Sequence, residues 1–83
     1  MTEKRIRLTT VNDVVLFVDR VTPFVGEVDL VSGRYTVNAK SQLGVLSLDL
    51  SKELIVRIHV PQSDENCGEL LAKLDHFIVK EDA

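Results

Sequence analysis

Apolar and charged residues alternate from Lys4 to Leu8. Ile6 and Leu8 face one way, Arg5 and Arg7 the other, which predicts a half-buried strand. Thr9-Thr10-Val11-Asn12-Asp13 reads as a short turn, with Asn12 or Asp13 placed to cap a helix by accepting from a free N–H of its first turn. Val14, Phe17, Val18 and Val21 then recur at helical spacing. The β-branched residues weaken that helix, and Val14 to Val18 taken alone would also fit a strand. Pro23 ends the segment, because proline cannot continue a helix interior.

Val28 and Leu30 alternate with Glu27 and Asp29, and Tyr35 and Val37 alternate with Arg34, Thr36 and Asn38. With a tight turn at Ser32-Gly33 the two runs form a hairpin. From Ser41 a short helix begins, with Leu43, Leu46, Ser47 and Leu50 on one face. Leu54, Val56, Ile58 and Val60 alternate with Ile55, Arg57 and His59 as a fourth strand, which Pro61 stops. Ser63 is placed to cap a last helix with Asp64 and Glu65 in its first turn, where the dipole favours negative charge. Its buried stripe is Cys67, Leu70, Leu71, Leu74, Phe77 and Ile78. The order β-α-β-β-α-β-α predicts an α+β fold: a four-stranded antiparallel sheet with three helices on one face and the other face open to solvent.

Composition narrows the function classes. The 83 residues amount to one domain, 1–83, with no linker, low-complexity segment or internal repeat. A formal net charge of -3 argues against nucleic acid and gives no reason to expect a membrane surface. The longest apolar run, Val14 to Val18, is far too short to span a bilayer, and the charged Met1–Arg5 start is no secretory signal. The lone Cys67 excludes an internal disulfide and a multi-cysteine zinc site, in keeping with a reducing, cytoplasmic setting.

The run Val37-Asn38-Ala39-Lys40-Ser41-Gln42-Leu43-Gly44-Val45-Leu46-Ser47-Leu48 reads as a strand end, a sharp junction and a helix start. It closely resembles the central segment of HPr, the histidine-containing phosphocarrier of the bacterial sugar phosphotransferase system. The full motif runs from Gly33: Gly-x-x-Thr-Val-Asn-x-Lys-Ser-x-Leu-Gly-Val-Leu-Ser-Leu. Val14 to Leu30 resembles the first helix and second strand of HPr without a gap, and Ser63-Asp64-Glu65-Asn66 resembles the acidic start of its third helix. The resemblance implies the HPr-like open-faced β-sandwich, with the element order read above.

The departure lies between Leu8 and Val14. In HPr a longer loop ends in the phosphorylated histidine and an arginine at the helix N-terminus. This chain has no histidine before His59, and Thr9 to Asp13 alone fills the gap. A helix N-terminus attracts anions. Asp13 there is expected to occupy the free N–H groups and to repel a phosphate. His59 and His76 both read as solvated surface residues, with no spacing that suggests a shared metal. Cys67 reads as a buried small hydrophobe.

Ser41 is the regulatory phosphorylation candidate. In HPr of many low-GC Gram-positive bacteria the serine at this motif position is phosphorylated by an ATP-dependent kinase in carbon catabolite repression. Helix capping, worth about 1 kcal/mol, accounts for the serine without any kinase and is the favoured reading. The second helix of HPr also forms its partner-docking surface. Leu43 and Leu46 keep that apolar character, and Gln42 replaces a residue that is usually apolar.

The resemblance therefore implies a non-enzymatic, cytoplasmic bacterial protein without cofactor, catalytic residue or metal. Its expected partner is a protein, either a phosphotransferase component or a catabolite regulator. HPr-like proteins of Gram-positive bacteria that lack the histidine and serve as corepressors are the precedent. Two alternatives stand beside this: a phosphocarrier using a non-standard residue, and an accessory domain that has drifted from sugar transport.

Overall fold

The computed structural model describes residues 1–80. Its elements are β1 (Thr2–Ile6), α1 (Val11–Val21), β2 (Val28–Ser32), β3 (Tyr35–Asn38), α2 (Gln42–Leu46), β4 (Leu54–Ile58) and α3 (Glu65–Lys73). The four strands form one antiparallel sheet in the order β1-β4-β2-β3, with the three helices on one face. This is the order and layering the sequence predicts. No helix among the described residues is long and apolar enough to cross a membrane.

The period-two pattern places Ile6, Val28, Leu30, Leu54, Val56 and Ile58 on the helix side, each at most 1% exposed. From the helices, Val14, Phe17, Val18, Val21, Cys67 and Leu70 close over them. Leu74 and Phe77, just past α3, complete the core, and Phe77 meets Phe17 edge to face at 6.1 Å between ring centroids. The open face is largely polar, around one half-buried apolar pair, Val31 and Ile55. Glu3, Arg57 and Asp29 stand abreast across β1, β4 and β2, and Arg57 Nε donates to Glu3 Oε2 at 2.6 Å. His59, exposed as expected, sits 2.7 Å from Asp29 Oδ2 on that face, while Arg57 is half-buried by its ion pair.

Several local expectations shift. β1 begins at Thr2, because Thr2 pairs with Ile58 and its hydroxyl donates to Val60 O at 3.0 Å; Leu8 is buried beyond the strand end. β4 ends at Ile58 rather than Val60, with one more in-register bond to the β2 side, His59 N donating to Glu27 O at 3.1 Å, just beyond it. The hairpin loop is Gly33-Arg34, closed by Ser32 opposite Tyr35, one residue later than Ser32-Gly33. Gly33 has φ +57, the left-handed conformation that glycine adopts without penalty. Asp64, not Ser63, caps α3, accepting from Asn66 N at 2.8 Å and Cys67 N at 3.2 Å. α3 ends at Lys73, so Phe77 and Ile78 reach the core from a following turn. The chain then runs along the outer edge of β1, with Arg7 N donating to Phe77 O and Val79 N to Arg5 O, each at 2.9 Å.

Candidate functional site

The site implied by the resemblance is the start of α1 together with α2. Thr10, rather than Asn12 or Asp13, caps α1. Its extended backbone (φ -129, ψ 163) turns its hydroxyl back to accept from Asp13 N at 3.0 Å. Asp13 is the reciprocal partner. Its Oδ2 accepts from Thr9 N at 3.0 Å, Thr9 Oγ1 at 2.8 Å and Thr10 N at 3.3 Å. Together they form a capping box, and the Thr-x-x-acid spacing from Thr10 to Asp13 was the sequence signal for it. The carboxylate thus binds the N–H groups of the incoming loop rather than those of the helix, contrary to the expectation. Its effect on an approaching anion is repulsion by charge. Hydrogen bonds from the Thr9 hydroxyl and then the Thr9 amide hold the Asp13 pKa below its ordinary 3.8; a further lowering comes from the charge of His76 nearby.

α1 has two distinct flanks. Asp13 and Arg20 lie two turns apart on one of them. Arg20 Nη1 donates to Lys73 O of α3 at 3.1 Å, and its guanidinium stands 5.5 Å from the Phe77 ring centroid. This flank therefore faces α3, and His76, in the turn after α3, belongs to it. Val11 and Val15 lie one turn apart on the opposite flank, and α1 also packs against α2. They are 63% and 41% exposed.

α2 is a five-residue helix whose packing corrects the predicted wheel. Val45 and Leu48 are buried, Leu46 and Leu50 are half-buried, and Leu43 is 84% exposed. Ser41 caps the helix: its Oγ accepts from Gly44 N at 3.1 Å, and its own N–H donates to Asn38 O at 2.9 Å. A Cβ on Gly44 would meet Ser41 Oγ at 3.1 Å and Val37 Cβ at 3.4 Å, so glycine gives this junction its close approach.

Of the sequence-predicted docking residues, Gln42 and Leu43 are exposed beside Ser41, and Leu46 packs partly onto the core. Val11 and Val15 were missed. For Val15 the signal was the unbroken run Val14 to Val18, since a helix on a sheet buries one face and must leave the remaining apolar residues outside. Cys67 is fully buried, as read. His59 and His76 lie on opposite sides of the sheet, and among the described residues no group of three His, Cys, Asp or Glu is placed to hold a metal ion.

The comparison with solved structures decides the architecture. The chain is similar to HPr-C-His from Thermoanaerobacter tengcongensis, with a TM-score of 0.70 and 23% identity over 89% of this chain and 90% of that one. It has the HPr fold. It is also similar to the phosphocarrier protein HPr from Bacillus anthracis str. Ames, with a TM-score of 0.62 and 22% identity over 87% of this chain and 94% of that one. No family profile matches the chain, and no curated protein matches it in sequence. Within the HPr fold, the first turn of α1 holds Val11, Asn12 and Asp13, behind a cap made by Thr10.

Proposed function

We propose that this chain is a non-enzymatic HPr-fold binding module of carbon regulation, which carries no phosphohistidine and meets a protein partner through Val11, Val15, Leu43 and Leu46. The observation that carries the reading is the exposed apolar side chains of Val11 and Val15 on α1 and Leu43 on α2, two helices packed against each other, next to a helix start capped by Thr10 and carrying the Asp13 charge. Burying such side chains against a partner contributes about 25 cal/mol per Å² removed from water, and exposed apolar clusters of this kind mark interaction surfaces. Ser41 serves as the cap of α2 in this reading. A phosphate on its Oγ would take the oxygen that now accepts from Gly44 N and would add charge beside Leu43.

The test is calorimetric titration of the purified chain, with and without phosphate on Ser41, into enzyme I of the phosphotransferase system and into a catabolite regulator. Binding of one of them is expected, with Leu43→Asp weakening it by about tenfold or more. Binding to neither, or binding indifferent to Leu43→Asp, favours the drifted accessory domain.

The phosphocarrier alternative would need a histidine, and His76, packed edge to face on Phe77 in the turn after α3, is the candidate on the helix side. Incubation with phosphoenolpyruvate and enzyme I separates the two. No acid-labile phosphate is expected; a phosphate that disappears in His76→Gln establishes the alternative.

A further inference from the structure

A further cavity lies away from the α1–α2 surface. A cleft of about 750 Å³ opens between the β2–β3 hairpin and the connection from α2 to β4. That volume falls within the roughly 300–1,000 Å³ usual for small-molecule sites. Its origin is a mismatch in the helix layer. The strand period turns Tyr35 and Val37 toward the helix side of the sheet. Val37 is packed against the core, but α2 ends after five residues and leaves Tyr35 73% exposed. Leu48, 9% exposed, forms apolar floor beside Val37.

The charges around this floor are uneven. Arg34 and Lys52 line the cleft along with a single carboxylate, Asp49. Asp49 is engaged already: Oδ1 accepts from Ser51 N at 3.0 Å and from Ser51 Oγ at 2.6 Å, and Oδ2 lies 4.0 Å from Lys52 Nζ. Arg34 has no partner among the described residues. A chain of net charge -3 thus presents a locally cationic cleft with an exposed aromatic ring and an apolar floor.

We propose that this cleft binds a small planar aromatic anion. The ring lies against Tyr35 above Val37 and Leu48, and the anionic group is held by Arg34, whose guanidinium suits carboxylate and phosphate oxygens, with Lys52 adding charge. The two parts are complementary: the ring alone lacks the charge, and the anion alone lacks the floor. This inference stands independently of the partner surface on α1 and α2.

Phenyl phosphate is the probe, with phenol and inorganic phosphate as its two halves. Titrated into the ¹⁵N-labelled full chain at low ionic strength, phenyl phosphate should shift the amides of Gly33, Arg34, Tyr35, Asp49 and Lys52 saturably, and each half should bind more weakly. Arg34→Gln should weaken binding by about tenfold, the loss of one charge-assisted contact. Tyr35→Ala should weaken it by about threefold, the loss of one ring contact. Both side chains are exposed, so unchanged core resonances will certify the fold of each variant. Absence of a saturable shift, equal affinity for inorganic phosphate alone, or binding unchanged in Arg34→Gln would each overturn the proposal.

Discussion

Replacing Asp13 with asparagine keeps the shape of the side chain and removes its charge. In the native chain Asp13 Oδ2 accepts three hydrogen bonds, from Thr9 N, Thr9 Oγ1 and Thr10 N. Asparagine can accept through one oxygen but makes weaker, uncharged bonds, and it loses the favourable placement of a negative charge in the first turn of α1. Capping interactions are worth about 0.5–2 kcal/mol and the dipole contribution about 0.3–1 kcal/mol. The site is largely solvated, which holds the sum near the low end, about 1 kcal/mol. The pH dependence isolates the charge. The folded-state pKa of Asp13 is depressed below 3.8, so its contribution is fully present above that value and is lost as pH falls below it through the folded pKa. Urea denaturation of both proteins at neutral pH and again well below pH 3.8 measures this directly. The native chain should be the more stable by about 1 kcal/mol at neutral pH, and the gap should close in acid. A gap of equal size at both pH values would refute the argument, because the variant would then be destabilised by something other than a lost carboxylate charge.

Ser41→Ala should lose about 1 kcal/mol in the same assay, while Ser41→Asp, which can still accept from Gly44 N, should lose much less. Gly33→Ala should cost about 1 kcal/mol although its methyl group would meet no atom, since the penalty lies in φ +57 alone; Gly33→Asn should recover part of it. Phe17→Ala empties a fully buried position against Phe77 and should cost about 3–5 kcal/mol, read as a large fall in the thermal midpoint.

The sequence by itself determined the layers. The recurrence of Leu54, Val56 and Ile58 at every second position and the helical spacing in Val14–Val21 are satisfied by burying one side of each element, so element type, order and most of the core follow from local pattern. The Gly33 to Leu48 motif added the junction at Ser41, which the structure places as a cap. Pattern could not set the ends of elements, because those depend on partners distant in the chain. Thr2 joins β1 through Ile58 and Val60, and the pairing of β4 with the β2 side runs on by one bond, His59 N to Glu27 O. Pattern also could not say which leftover apolar residues share a surface. Spacing puts Leu43 on one face with Leu46 and Leu50, yet it stays exposed while Val45 and Leu48 are turned inward, because α2 is a short helix docked on α1 and β3. The cleft beside Tyr35 likewise exists only where the helix layer stops short of the hairpin. Periodicity reports which face a residue occupies on its own element, and only packing between elements decides whether another element covers that face.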